Sequence, residues 1–235
     1  MTDRRTFLQL SAAALAASAL APLVAAPKRL KIGTIGSGNV GGTLGRIWAK
    51  AGHEVMFSSL NLEQDKKLAA SIGPNARAGT PQAAATFGEV VLVSVPYKAL
   101  PDVGKDVGGL LKGKIVIDTC NPFPSRDGEI ANWAREKGAG IASAELLPGA
   151  RLVRAFNAVS WLQMADASKS SQRMAMPMAG DDAEAVQVVS ELVREVGYEP
   201  VLIGPLAMGR HLMPGTPLAG EHTPGEIRKI AATLR

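Results

Sequence analysis

The stretch LKIGTIGSGNVGGTLGRIWAKAG, residues 30–52, decides the fold of this chain. Its apolar start over residues 30–35 predicts a strand, and the glycine-rich turn over residues 36–41 leads into a helix over residues 42–51. Gly52 ends that helix, and residues 53–57 predict a second strand. The turn therefore lies inside a strand, helix and strand unit of about thirty residues, the setting in which such a turn binds a dinucleotide.

The glycines of this turn have separate predicted roles. Gly36 permits the tight turn, Gly38 lets the backbone approach a pyrophosphate, and Gly41 lets the helix pack closely on the strand. Backbone amides at the start of the helix then face the phosphate oxygens. The residues predicted to bind the cofactor here are Gly36, Ser37, Gly38, Asn39, Val40 and Gly41. The alternative is a glycine turn that holds no ligand.

The end of the second strand favours NADP over NAD. An Asp or Glu at this point usually holds the ribose hydroxyls of NAD, whereas this chain has Ser58 and Ser59. Two hydroxyls can donate to a 2′-phosphate without the repulsion that a carboxylate would impose, and Lys66 or Lys67 is a further candidate. Alternatively, the two serines cap the helix that begins near Leu62, and one residue can do both.

Strands and helices alternate along the rest of the chain, with short connections between them. Further strands are predicted over residues 76–79, 89–95, 114–118, 152–156, 174–179 and 199–203, and further helices over residues 62–71, 81–87, 100–111, 129–137, 183–196 and 222–234. The pattern predicts an α/β fold, a doubly wound Rossmann-type parallel sheet with a small C-terminal extension. Residues 27–158 form the predicted NAD(P)-binding Rossmann domain, and residues 159–235 form a small portion that continues the sheet.

Composition narrows the function classes. The 235 residues are 46% hydrophobic but only 4% aromatic, which suits helices packed on a parallel sheet around one core. The net charge of +5 is not gathered into a basic stripe with interleaved aromatics, so nucleic acid is not an expected partner. Cys120 is the single cysteine, which excludes a disulfide within the chain.

Residues 1–26 are predicted to be a signal peptide rather than part of the fold. Arg4 and Arg5 precede an Ala- and Leu-rich stretch that is too short to span a bilayer, and Ala25 and Ala26 offer a cleavage site. The order Arg4-Arg5-Thr6-Phe7-Leu8 resembles the twin-arginine export signal of bacteria. The sequence therefore predicts an exported, periplasmic protein with no membrane span in its mature form. An amphipathic N-terminal helix or an uncleaved anchor is the alternative.

Several segments beyond the glycine turn carry a family resemblance. They are residues 94–96, 118–122, 126–128 and 147–157, of which the last, LPGARLVRAFN, is the most specific. Over about residues 30–212 the chain resembles the coenzyme F420-dependent NADP oxidoreductases. The resemblance implies a Rossmann domain followed by a small C-terminal portion that forms the acceptor side. It also implies a homodimer and hydride transfer between NADPH and a deazaflavin such as coenzyme F420.

The resemblance also implies where the nicotinamide half of the cofactor binds. Family members hold it near the ends of later strands, which here places Ser94, Val95, Pro96, Asn121 and Asn157 around it. The chain departs from the family pattern at Leu60, where an Arg that grips the 2′-phosphate is common.

Hydride transfer between two bound rings needs proximity and orientation more than a catalytic acid, so no catalytic side chain is predicted. Asn121 and Asn157 are candidates for positioning the rings. Cys120, just after a strand end, is either a reactive thiol or a small buried residue. His211 faces an acceptor ring or lies on the surface. The spacing of the three histidines indicates no metal site.

Two other functions share the glycine turn. A hydroxyacid or imine-type NADP-dependent reductase relies on a long helical second domain, and little of this sequence follows Gly180. An exported, non-catalytic NADP-binding protein would keep the nucleotide as a structural ligand.

Overall fold

A computed structural model describes residues 29–234 of the chain. Within that range eight strands form one sheet. The strands are β1 (Lys31–Ile35), β2 (Glu54–Ser58), β3 (Ala76–Ala78), β4 (Val90–Val93), β5 (Ile115–Asp118), β6 (Arg151–Arg154), β7 (Ala175–Gly180) and β8 (Glu199–Gly204). The predicted signal peptide, residues 1–26, lies outside the described residues.

Helices connect most of these strands. In chain order they are α1 (Asn39–Ala51), α2 (Leu62–Ile72), α3 (Pro81–Phe87), α4 (Leu100–Leu111), α5 (Pro124–Asp127), α6 (Glu129–Lys137), α7 (Ala139–Leu146), α8 (Trp161–Asp166), α9 (Ala183–Val196) and α10 (Pro224–Ala231), with 3-10 turns at Tyr97–Ala99, Ala167–Lys169 and Leu206–His211. The short helices α5, α7 and α8 are absent from the sequence prediction. None of the helices in the described range is both long and apolar enough to cross a bilayer.

The strand order is β3-β2-β1-β4-β5-β6-β7-β8. The first six strands are parallel and have the doubly wound order 3-2-1-4-5-6, so the order reverses between β1 and β4. The α/β, Rossmann-like prediction is confirmed for this mostly parallel sheet.

The prediction of a parallel sheet needs one correction at its C-terminal end. β7 pairs antiparallel with β6, and β8 then pairs parallel with β7. A parallel neighbour would need a connection that carries the chain back along the whole strand. The link from β6 to β7 holds only α8, a six-residue helix that rises about 9 Å, and a 3-10 turn. The chain therefore enters β7 from the edge at which β6 ends.

Helices cover both faces of the sheet. The continuous apolar run of β4 shows why, because Val90 and Leu92 face one core cluster and Val91 and Val93 face the other. The first cluster contains α1 and α9, and the second contains α4, α6 and α7. Burial of each such aliphatic side chain contributes about 1.5–3 kcal/mol to folding.

Trp48 of α1 joins the first core cluster to the C-terminal part of the chain. Its side chain is fully buried and packs edge-to-face on Phe156, with ring centroids 6.0 Å apart. Its indole N–H donates to the carbonyl of Leu192 on α9 at 3.0 Å. Beside it, the His53 ring bonds the backbone N–H of Leu30 and the carboxylate of Glu195. His53 is thus a structural residue between β1 and α9.

Candidate functional site

The glycine turn connects the end of β1 to the start of α1, at the point where the strand order reverses. Gly36 has φ +94°, and its N–H and that of Ser37 both donate to the carbonyl of Ser58. A Cβ on Gly36 would lie 2.2 Å from the carbonyl oxygen of Ser94. A Cβ on Gly41 would lie 2.0 Å from the carbonyl oxygen of Gly36, so both positions require glycine.

Gly38 differs from its two partners in the turn. A Cβ on Gly38 would meet nothing within 4 Å, so this glycine faces open space rather than protein. It is also the N-cap of α1 and supplies no side-chain cap, and the first turn of the helix holds no acidic residue. The free amides at this helix end fit a pyrophosphate, which is the group that the turn is predicted to hold.

A cleft of about 590 Å³ extends from the glycine turn along the adenosine side. Its walls come from the turn, the β2–α2 loop, the end of β4 and α4. They include Gly36, Ser37, Gly38, Ser59, Leu60, Asn61, Gln64, Ser94, Val95, Pro96, Lys98, Asp102 and Asp106.

Two further cavities continue the cleft over the carboxyl ends of β4, β5 and β6. A cavity of about 220 Å³ shares Gly38 and Val95 with the first cleft. A third cavity, of about 380 Å³, shares Val40 and Asn121 with the second and is also lined by Asn157. Because neighbouring cavities share their walls, the three form one groove, which we call the carboxyl-edge groove. All the predicted site residues line it except Gly41 and Ser58.

The structure corrects the role predicted for Ser58. Its hydroxyl is fully buried and donates to the carbonyl of Thr34 at 2.7 Å, so it does not reach the groove. It does not cap α2 either, because Asn61 is the N-cap and its side chain accepts the N–H of Gln64. Ser58 instead shapes the glycine turn through its carbonyl.

Asp65, a residue that the sequence reasoning missed, lies beneath the adenosine cleft. This carboxylate in the first turn of α2 is fully buried. It accepts hydrogen bonds from the hydroxyl of Ser59 at 2.8 Å and from the hydroxyl of Ser37. Asp65 therefore ties the glycine turn to the β2–α2 loop. Its position seven residues beyond β2 hides it from a search at the strand end.

Asn157 lies at the other end of the carboxyl-edge groove. Asn157 is only 3% exposed, yet neither Oδ1 nor Nδ2 of its side chain has a hydrogen-bond partner among the described residues. The backbone carbonyl of Asn157, by contrast, accepts the side-chain N–H of Asn121 at 2.7 Å. Phe156, just before it, has φ +66°, a strained backbone for an aromatic residue. A buried, unpaired amide beside a strained residue is the arrangement expected of a ligand contact.

A buried ion pair lies in the core next to this end of the groove. Arg154 of β6 and Asp118 of β5 are both fully buried, and their side chains meet at 2.5 Å. The same guanidinium donates to the carbonyls of Cys120 and Leu212, at 3.1 and 3.3 Å. It therefore joins two strands to the segment after β8, and its pairing was not predicted from the sequence.

The structure decides between the alternatives for Cys120. The side chain is buried, with its thiol 3.6 Å from the carbonyl of Val93. Burial, and then the nearby carboxylate of Asp118, raise the pKa of the thiol well above its usual range. Cys120 is therefore a small core residue rather than a reactive thiol.

The two late histidines lie away from the groove walls. His211 is partly buried, and its Nε2 atom is buried without a partner among the described residues. His222 lies 3.1 Å from the carbonyl of Ala219 through its Nε2 atom. Within residues 29–234, no three His, Cys, Asp or Glu side chains are grouped so that they could hold a metal ion.

Arg126 belongs to a segment that carries the family resemblance, but the sequence analysis gave it no role in the site. It lines the middle cavity, lies over the ring of Phe123, and donates to the carbonyl of Asn121 at 2.8 Å. It also pairs with Asp127. Burial alone would raise the pKa of Asp127, but hydrogen bonds from Arg126 and from the backbone amides of Phe123 and Lys98 outweigh it and lower that pKa.

Comparisons with known proteins show which proteins the chain resembles. A family model described as "NADP oxidoreductase coenzyme F420-dependent" matches residues 31–122. The F420-dependent NADP reductase of Methanothermobacter thermautotrophicus is 29% identical over 205 residues, which are 80% of this chain and 87% of that protein. A hypothetical protein from Sinorhizobium meliloti has a solved structure that matches with a TM-score of 0.70 and 25% identity, covering 82% of this chain and 93% of that one.

A second group of relatives is much longer. The metalloreductase STEAP3 of Rattus norvegicus is 28% identical over 185 residues, which are 77% of this chain but 35% of that protein. The chain therefore spans about a third of the length of the metalloreductases that it matches. The resemblance inferred from the sequence is confirmed: residues 31–122 match the model of the coenzyme F420-dependent NADP oxidoreductases, and most of the chain is similar to an F420-dependent NADP reductase.

Proposed function

We propose that this chain is an oxidoreductase that transfers hydride between NADPH and a deazaflavin or another redox-active small molecule. The observation that carries the proposal is the carboxyl-edge groove, which joins an open glycine turn at one end to the unpaired amide of Asn157 at the other. A groove of this extent, at the reversal of strand order, fits a dinucleotide with a second molecule beside it.

The nucleotide side of the groove would hold the cofactor by its backbone. The amides at the start of α1 meet the pyrophosphate, and Gly38 leaves room for it. Val95 and Pro96 line both the adenosine cleft and the middle cavity, so they would lie beside a nicotinamide bound there. When bound, that ring supplies the hydride.

The acceptor side of the groove would orient the second ring. The amide of Asn157 offers one acceptor and two donor hydrogens, so it can bind a ring edge that carries both a carbonyl and an N–H. Arg154 and Asp118 keep the strand ends around Asn157 in place. The residues contribute orientation and the exclusion of water rather than a proton, because hydride transfer between two rings needs neither an acid nor a base.

The relatives suggest which acceptors to try first. One is named as an F420-dependent reductase and others are named as metalloreductases. The full-length chain should be mixed with NADPH and, separately, with a deazaflavin, with a flavin, and with a flavin plus a ferric chelate, while absorbance at 340 nm is followed. The flavin is needed in the last mixture because it takes the hydride and passes single electrons to two ferric ions. Loss of absorbance with one acceptor supports the proposal, and failure to bind either NADPH or NADH would sink it. The elution volume of the same preparation tests the proposed homodimer.

A non-catalytic, exported nucleotide-binding protein is the second candidate, favoured by the Arg4-Arg5 signal. We propose export through the twin-arginine route in either case. Replacing both arginines by lysine should retain the protein inside the cell, as fractionation would show. Retained nucleotide with no turnover against any acceptor would favour the second candidate over the first.

A further inference from the structure

Asp65 makes the adenosine side of the groove differ from an ordinary NADP site. The carboxylate is fully buried, and both of its oxygens are occupied by hydroxyl donors, Ser37 on one and Ser59 on the other. Both serines line the adenosine cleft. At two points, therefore, a single serine hydroxyl lies between Asp65 and the cleft in which the nucleotide would bind.

The directions of these hydrogen bonds determine what the cleft can recognise. A hydroxyl has one hydrogen to donate and two lone pairs that accept. Ser37 and Ser59 give their hydrogens to Asp65, and Ser59 also accepts the N–H of Asn61 at 3.1 Å. Toward the cleft, both hydroxyls therefore present lone pairs. A ribose hydroxyl can donate to them, whereas a 2′-phosphate, which mainly accepts, would have to compete with Asp65 for the hydrogens.

The charges around the cleft agree with this reading. Among the described residues that line it, Lys98 is the one cation, while Asp102 and Asp106 are acidic. Lys66 and Lys67, the candidates named from the sequence as phosphate partners, do not line the cleft, and Lys66 pairs with Glu63 at 2.7 Å. Leu60 is fully exposed and apolar, so it offers a phosphate no hydrogen-bond donor from its side chain.

We propose that Asp65 is a specificity-determining positioning residue that replaces the missing strand-end carboxylate, so that the chain binds NADH about as well as NADPH. The proposal rests on the proposed function, since it assigns the nucleotide for the same groove. Asp65 acts through Ser37 and Ser59 and does not itself touch the nucleotide.

The test compares dissociation constants for the two nucleotides by fluorescence titration of the full-length chain. In the wild-type protein the Kd for NADH should lie within about tenfold of the Kd for NADPH, a difference of under 1.4 kcal/mol. Asp65→Asn removes the charge and replaces one of the two acceptor oxygens by an NH2 donor, which frees one serine hydroxyl hydrogen for a phosphate. It should tighten NADPH binding about tenfold and change NADH binding less than about threefold.

Two other variants provide a control and an independent test. Asp102→Asn is the matched control. It also removes a carboxylate from the cleft, but this carboxylate bonds neither Ser37 nor Ser59. Because Asp102 is exposed and its charge is screened by solvent, this change should shift the ratio of the two dissociation constants much less than Asp65→Asn does. Ser59→Ala removes the acceptor next to the ribose and should weaken NADH binding several-fold more than NADPH binding. Its effect keeps the proposal testable if Asp65→Asn does not fold.

The outcomes separate this proposal from the previous one. A wild-type preference for NADPH greater than tenfold would overturn the inference and leave the oxidoreductase function intact. So would an unchanged ratio in a folded Asp65→Asn protein. Binding of neither nucleotide would overturn both proposals.

Discussion

The two ends of the carboxyl-edge groove are built in different ways. At the nucleotide end the shape comes from the backbone, because a positive φ at Gly36 and two close approaches define the turn. At the acceptor end the shape comes from side chains on separate elements, with Arg154 bonded to Asp118 and to the carbonyl of Leu212. The first kind of site is visible as a short motif. The second exists only when distant segments have folded together.

The difference also predicts how each end fails. A backbone turn tolerates no added atom at its crowded glycines but depends little on charge. A buried ion pair does not tolerate the loss of one partner, since the other charge is then left without compensation. At each end, therefore, one mutation should lower stability and another should lower binding or rate.

The largest effect is expected at the buried pair. Arg154→Met should lower the free energy of unfolding by about 3–5 kcal/mol, because it strands the carboxylate of Asp118 in the core. Urea unfolding followed by tryptophan fluorescence measures this. The control is Arg77→Ala at the exposed pair with Glu54, which should cost under about 1 kcal/mol. Equal losses in the two variants would show that the acceptor end does not depend on the buried charge.

The glycine turn should respond next most strongly, and differently at two neighbouring positions. Gly36→Ala should cost about 2–3 kcal/mol of stability, because the methyl group meets the carbonyl of Ser94 at a positive φ. Gly38→Ala should leave stability within about 1 kcal/mol but weaken NADPH binding by about 2 kcal/mol, roughly thirtyfold. Thermal melts and nucleotide titrations of both proteins check this. A Gly38→Ala protein that binds normally would contradict the placement of the pyrophosphate.

Asn157→Leu tests the acceptor end of the groove. Replacing an unpaired buried amide by an apolar group of similar size should leave stability unchanged or raise it by up to about 1 kcal/mol. The rate of hydride transfer should fall about tenfold, equivalent to 1.4 kcal/mol of barrier. Stopped-flow measurement at 340 nm, beside urea unfolding, separates the two effects. A loss of stability with no loss of rate would make Asn157 a structural residue.

The smallest effect is expected at Asp127, next to the middle cavity. Its lowered pKa means that its bonds to Arg126, Phe123 and Lys98 stabilise the fold above the ordinary Asp pKa of about 3.9 and are lost as the pH falls through the lower folded value. Asp127→Asn should cost about 1 kcal/mol at neutral pH. The difference from wild type should shrink below about pH 4. A difference that stays constant down to pH 3 would rule out the charged form as its source.

The same division explains what could be predicted from the sequence. The alternation of strands and helices follows from the 30–52 motif and from apolar runs, and long helices such as α9 were found with their ends correct. The helix α7 was missed because Ala139–Leu146 is mostly apolar and has no amphipathic period. The reversed direction of β7 was missed because side-chain alternation does not record which way a strand runs.

The missed site residues share one cause. Asp65 meets Ser37 across 28 positions, and Arg154 meets Asp118 across 36. No local pattern relates such residues. Ser58 was assigned to the wrong partner because its type suits a phosphate contact, while its side-chain direction is set by pairing with β1.

The hydrogen bond from Trp48 to Leu192 has a consequence for the order of folding. It joins positions 144 residues apart, and α1 packs against both α8 and α9. Chains emerge from the ribosome with the N-terminal end first, and contacts of long sequence separation form late. The nucleotide end therefore completes its core only after residues 183–196 have left the ribosome.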